Sequence, residues 1–193
     1  MQDARREWET ARGIVEGYVP FDEREKIERA AMLDAIGRTP DILLRTSALM
    51  HLTASGWIVD PARDRALMVY HNIYRSWSWS GGHADGEGDL LAVALREAME
   101  ETGVSPRPVR QTPVSLDILP VQAHVRRGQY VPPHLHFSLC YLFEADESAP
   151  LRVKPDENSG VSWIPFSRMK EAVAEAHMLP LYEKLMRRAK ELP

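Results

Sequence analysis

Apolar positions recur along this chain with two different periods, and the change of period divides it. Over residues 3–16 the spacing is helical, with Trp8, Ala11, Ile14 and Val15 on one side. Tyr18-Val19-Pro20 breaks that run, because proline has no amide proton to give a helix interior. Asp22 is placed to cap a second helix reaching residue 36, with Ile27, Ala30, Ala31 and Leu33 as apolar positions. Asp34 falls two turns after Ile27 and leaves that stripe imperfect; Gly37 and Pro40 end the helix. A short segment, 42–44, leads on.

From His51 the pattern is that of strands: 51–59, a turn over 60–65 holding Pro61, then 66–71. Residues 74–80 are aromatic-rich, with Trp77 and Trp79 alternating before a glycine loop. The spacing of Leu91, Ala94, Leu95 and Ala98 predicts an amphipathic helix, with Asp89 as its N-cap and Gly103 just past its end. A linker spaced by Pro106, Pro108 and Pro113 precedes an expected strand at 114–121, and 125–133 reads as a loop over the site. Strands are expected at 134–145, 151–153 and 161–165, with a loop at 155–160. Ser167 can cap a helix over 168–176, and 181–192 forms a closing helix. Strands on both sides of a helix, with helices at each end, give an α/β layered sandwich. Residues 1–47 read as an N-terminal helical extension and 48–193 as the main domain.

Composition narrows the function. A net charge of −4 and a pI near 6.0, without a basic stripe, do not favour nucleic acid as a partner. The single cysteine, Cys140, leaves no internal disulfide and fits a reducing cytoplasm. No apolar run is long enough to span a membrane, and the polar start MQDARREWET does not read as a signal peptide.

The densest chemistry lies between residues 81 and 104. Glu97, Glu100 and Glu101 sit at i, i+3 and i+4, so their carboxylates share one helical face and repel unless something positive lies among them. A solvated acidic face is the common explanation of such a run. A hard divalent cation is the other, since Mg²⁺ takes oxygen ligands and the glycines at 81, 82, 86 and 88 leave the adjoining backbone open. Ordered from Gly82, the stretch resembles the Nudix box. That pattern is Gly, five residues, Glu, seven residues, Arg-Glu, an apolar residue, any residue, Glu-Glu, any residue, Gly and an apolar residue. Gly82, Arg96, Glu97, Ala98, Glu100, Glu101, Gly103 and Val104 fit it. One position departs: Gly88 stands where the first Glu belongs, flanked by Glu87 and Asp89.

The resemblance implies a mixed β-sheet between helical layers, and a hydrolase that cleaves a diphosphate linkage with Mg²⁺ or Mn²⁺. It further implies that Glu97, Glu100 and Glu101, with the Gly82 carbonyl, hold the ion and that Arg96 orients the glutamates. A general base often comes from a loop beyond the box; Glu157, in PDENSG, is the candidate, with a solvated loop acid as the plain alternative and Glu100 among the fallbacks. Trp79 is either core or a stacking wall. His83 is either a phosphate donor or structural, and Arg126 and Arg127 are either phosphate ligands or loop charges. His134 and His136 project from one strand face. With no third nitrogen or sulfur ligand at a matching position, substrate hydrogen bonding is expected of them rather than zinc.

Two rival classes remain. A silent ligand-binding module is favoured weakly by Gly88, and an isoprenyl diphosphate isomerase-like enzyme would draw on Cys140. Pro120, sixteen residues past Val104, resembles a placement in ADP-ribose-cleaving members. The substrate expected is a small diphosphate compound, and a homodimer stays open.

Overall fold

A computed structural model describes residues 2–126 and 128–192, with only the backbone of Gln2 and Arg126. Two helices come first, α1 (Gln2–Gly17) and α2 (Glu23–Arg38). Strands β1 (Met50–Val59), β2 (Arg65–His71), β3 (Ser76–Ser78) and β4 (Ser80–His83) then lead into α3 (Leu90–Thr102). After α3 come β5 (Arg107–Pro108), β6 (Ser115–Val121), the hairpin β7 (His124–Arg126) and β8 (Gln129–Val131), β9 (His134–Glu144) and β10 (Asn158–Pro165). A single helical turn, α4 (Met169–Ala172), and α5 (Leu179–Glu191) close the chain.

The centre of the sheet is a parallel pair, β1 against β9, in register from Met50↔Leu135 to Val59↔Glu144. The other pairings are antiparallel: β1 with β2 near one end and with β4 near the other, and β9 with β5 and β6. Outermost on the other side, β10 joins β2. Alternation along the two central strands decides what each face does. Leu52, Ala54 and Ile58 of β1, with Phe137, Leu139, Tyr141 and Phe143 of β9, turn to one side. They pack there against Val93, Ala94 and Ala98 of α3, Ala11 and Val15 of α1, and Met32 and Ile36 of α2. The opposite face is divided. Trp57, Val59, Cys140 and Leu142 lie under Leu181, Tyr182 and Leu185 of α5. Further along the same face the residues become His51, Thr53 and Ser55, beside His134, His136 and Ser138, and these line a cleft of about 1250 Å³. Burying one end of this sheet face and opening the other is what creates the site.

Four sequence expectations change. In α2 the buried residues are Glu25, Met32 and Ile36, while Ile27 is exposed. The inner face carries a carboxylate, so the apolar stripe pointed the wrong way. Residues 151–153 form no strand; the Arg152 amide instead donates to the Thr102 carbonyl at 2.8 Å, tying this segment to the end of α3. Ser167 caps nothing: the expected helix over 168–176 is a 3₁₀ turn, Phe166–Arg168, followed only by α4. The loop read at 125–133 contains the β7–β8 hairpin. By contrast, Asp22 and Asp89 accept from Glu25 and Ala92 as helix N-caps, and Gly103 adopts φ 80° past the end of α3.

Candidate active site

Helix α3 and the loop before β10 bring three acids together. Glu97, Glu101 and Glu157 each offer a carboxylate oxygen within 4.8 Å of the others. Glu101 is buried, and its Oε2 accepts from the Gly81 amide at 3.1 Å. Burial pushes its pKa up to about 8, with the Gly81 amide pulling against the shift and Glu97 adding to it. Burial also raises Glu97, opposed by Lys154. The Glu97 carboxylate lies directly over Gly82, where any Cβ would overlap it, so the glycine there serves close approach. Glu100 stays outside the converging group. It is half exposed and accepts from Lys154 Nζ at 2.9 Å, the same ammonium that pairs with Glu157 at 2.9 Å.

The departure at Gly88 has a steric cause. A Cβ there would overlap the backbone carbonyl of Glu7 in α1, and the Gly88 amide donates to Glu7 Oε2 at 2.7 Å. The extension occupies the space that a glutamate at 88 would need. Its φ is not positive, so space rather than backbone freedom selects glycine. Of the flanking acids, Glu87 accepts from Arg96 Nη1 at 2.6 Å, whereas Asp89 is used as the N-cap.

His134 and His136 do meet, Nε2 to Nε2, at 3.1 Å. They are joined by His83 from β4 and by His51 from β1. Burial lowers the pKa of His51, and pushes His136 down to about 2 with help from its histidine neighbours. Sequence reading passed over His51, whose register partner is His136 on a strand distant in the chain. Two other residues also went unnoticed there, and Asn158 reads in the sequence only as a turn residue. Lys154 bridges two acids, and Arg45 makes a bidentate pair with Asp85 at 2.7 Å on the cleft wall. Asn158 is buried, donates to the Glu101 carbonyl at 3.1 Å and accepts from the Lys154 amide at 3.2 Å. That anchor sets where Glu157 projects.

Trp79 lines the cleft, and its ring packs edge-on against Tyr182 at 5.8 Å. Pro120 also lines the cleft. The Arg126 side chain and all of Arg127 lie outside the described residues. Cys140 is fully buried in the core beneath α5.

These features define a mixed-sheet α/β/α sandwich in which a glycine loop feeds a glutamate-bearing helix, with the acids facing a large cleft. The NUDIX domain family model matches residues 50–185, and the chain belongs to that family. Among curated proteins, the CMP-5'-(N-acetyl-N-hydroxy-3-aminopropyl)phosphonate hydrolase of Streptomyces rubellomurinus is 44% identical over 57 residues. That match spans 28% of this chain and only 28% of the relative. Among solved structures, the NUDIX domain of Shewanella oneidensis NrtR complexed with ADP ribose aligns with TM-score 0.50 and 19% identity, covering 71% of this chain and 86% of that one. A NUDIX family hydrolase from Clostridium perfringens aligns with TM-score 0.49 and 19% identity, over 70% and 95%. At 19% identity the likeness to the Shewanella oneidensis domain is one of fold.

Proposed function

We propose that this chain is a divalent-metal-dependent hydrolase that cleaves a diphosphate linkage in a nucleoside diphosphate-type small molecule. The supporting observation is the convergence of Glu97, Glu101 and Glu157 beside Gly82 at the wall of the cleft. The donor set is oxygen throughout, which suits Mg²⁺ or Mn²⁺, and the burial that makes Glu101 hard to ionise is what a cation would relieve. When bound, such an ion supplies positive charge against the diphosphate and makes water more acidic.

The chain's own residues do the positioning. Gly81 holds the Glu101 carboxylate in place, Arg96 is steadied by Glu87, and Lys154 holds Glu100 and Glu157 together. Glu100 enters the ion's surroundings only by leaving Lys154. His83, His134, His136 and Trp79 line the same cleft on the substrate side. An isomerase-type reading loses its cysteine, because Cys140 is buried and its thiol pKa is raised by burial.

The purified chain should release phosphorus-containing products from at least one member of a panel of nucleoside diphosphate compounds. It should do so with Mg²⁺ or Mn²⁺ and not with EDTA. No turnover of any member with either ion would remove the reading. Glu157 carries two assignments that one titration separates. Its place among the converging acids predicts that Glu157→Gln weakens Mg²⁺ half-saturation together with kcat. A fall in kcat of roughly 10²–10⁴ with unchanged half-saturation would make it the general base instead.

A further inference from the structure

Four imidazoles converge on the floor of the cleft from three strands: His51 of β1, His83 of β4, and His134 and His136 of β9. One ring nitrogen from each lies within 4.8 Å of the others. Five of the six ring pairs have nearly equal centroid separations. His51 is 4.8 Å from His83 and 4.9 Å from both His134 and His136, and His136 is 4.9 Å from both His83 and His134. Such spacing gathers four rings about one centre rather than stacking them in a row.

The backbone settles the tautomer of two of these rings. A carbonyl only accepts, so His51 Nδ1 donates to Ser47 at 3.1 Å and His134 Nδ1 donates to Pro132 at 2.9 Å. In a neutral imidazole this leaves the lone pair on Nε2. His51 Nε2 is buried and has no hydrogen-bond partner among the described residues, and His134 Nε2 faces His136 Nε2. An imidazole tethered through Nδ1–H to a carbonyl, with Nε2 turned inward, is oriented as a metal ligand usually is. Apolar packing does not account for the cluster, since buried polar atoms without partners are rare. An anion would need donors where two lone pairs are fixed. A hard ion such as Mg²⁺ prefers oxygen, whereas imidazole suits the later first-row metals.

We propose that His51, His83, His134 and His136 form a binding site for a first-row transition-metal ion, Zn²⁺ foremost, separate from the carboxylate group. Metal–nitrogen bonds of ~2.0–2.1 Å place tetrahedral ligands about 3.3 Å apart, close to the 3.1 Å between His134 and His136. The proposal goes beyond the Mg²⁺-dependent hydrolysis and does not rest on it.

The test uses the full chain, stripped with a chelator and titrated with Co²⁺ as a coloured probe. One equivalent should bind with the intense visible absorption of four-coordinate cobalt, be displaced by Zn²⁺, and persist under millimolar Mg²⁺. The spectrum should survive in Glu97→Gln/Glu101→Gln, which removes the carboxylate donors. It should weaken by ~100-fold or more in affinity in His136→Gln and in His134→Gln, since even an outer-shell partner tunes metal affinity by about 10–100-fold. Thermal melts in EDTA show that each variant is folded, and the second histidine variant serves if the first is not. Three results would overturn the proposal: no saturable Co²⁺ binding, a weak six-coordinate spectrum only, or binding that is lost in the carboxylate variant and kept in both histidine variants. Failure here leaves Mg²⁺-dependent turnover untouched, so the two readings fall separately.

Discussion

Glu101 lies almost wholly out of water, and among the described residues only the Gly81 amide donates to its carboxylate. Without a cation it holds its proton up to about pH 8, against 4.5 for a free glutamate. Between those values the folded chain binds a proton that the unfolded chain releases, so this group's contribution to stability is greatest below about 4.5 and declines as pH rises to about 8. In EDTA, the melting temperature of the wild type should therefore fall relative to Glu101→Gln as pH is raised from 5 to 8. Parallel profiles would mean that the carboxylate is already compensated. With Mg²⁺ present, Glu101→Gln should stay folded and lose at least ~100-fold in turnover, because a lost charge at the ion is worth several kcal/mol and each ~1.4 kcal/mol is about tenfold in rate. Glu97 and Glu101 were legible in the sequence because one helix spaces them, and helical spacing is local. His51 was not, because it meets its partners only through the parallel register of β1 with β9.

Elements that bury a regular apolar face were equally legible: β1, β2, β9 and α3 lie close to where alternation and helical periodicity place them. The reading failed where a polar contact replaces an apolar one. Helix α2 turns Glu25 inward, and the Arg152 amide satisfies a carbonyl at the end of α3 instead of joining a sheet edge. The glycine at 88 belongs with these, since its reason lies in α1 and nowhere in the box. Gly88→Ala should thus drive a methyl into the Glu7 carbonyl and loosen α1 from the loop. The expected cost is about 1–3 kcal/mol, as for other overpacked sites, with faster hydrogen exchange concentrated in α1. Gly13→Ala is the control. Nothing lies within 4 Å of its added Cβ, and within a helix the change should stabilise by roughly 0.5–1 kcal/mol. Equal effects from the two substitutions would show that α1 does not rest on the loop.

Across the whole molecule, the front, middle and end of the chain meet in one buried set of charges. Lys184 of α5 donates to Glu25 of α2 at 2.7 Å and to Asp117 of β6 at 2.8 Å. The Tyr18 hydroxyl and the Phe21 amide donate to the other oxygen of Glu25, and Arg188 donates to that hydroxyl at 3.2 Å. Tyr18, Glu25 and Arg188 all lie outside residues 50–185, so the network couples both flanks to the family domain. Charged residues carry no hydrophobic period, and nothing in their spacing announced the contact. Two acids and two bases, each mostly buried, balance one another. Removing a single partner strands the opposite charge, which typically costs about 3–5 kcal/mol, whereas replacing the set by apolar or neutral groups costs far less. Lys184→Met should lower stability by that amount in urea titrations. Adding Asp117→Asn to Lys184→Met, which leaves Glu25 with Arg188, should recover a good part of it. A loss below ~1 kcal/mol in the single variant would mean that water reaches these carboxylates, and that the extension is held by its other contacts with the domain.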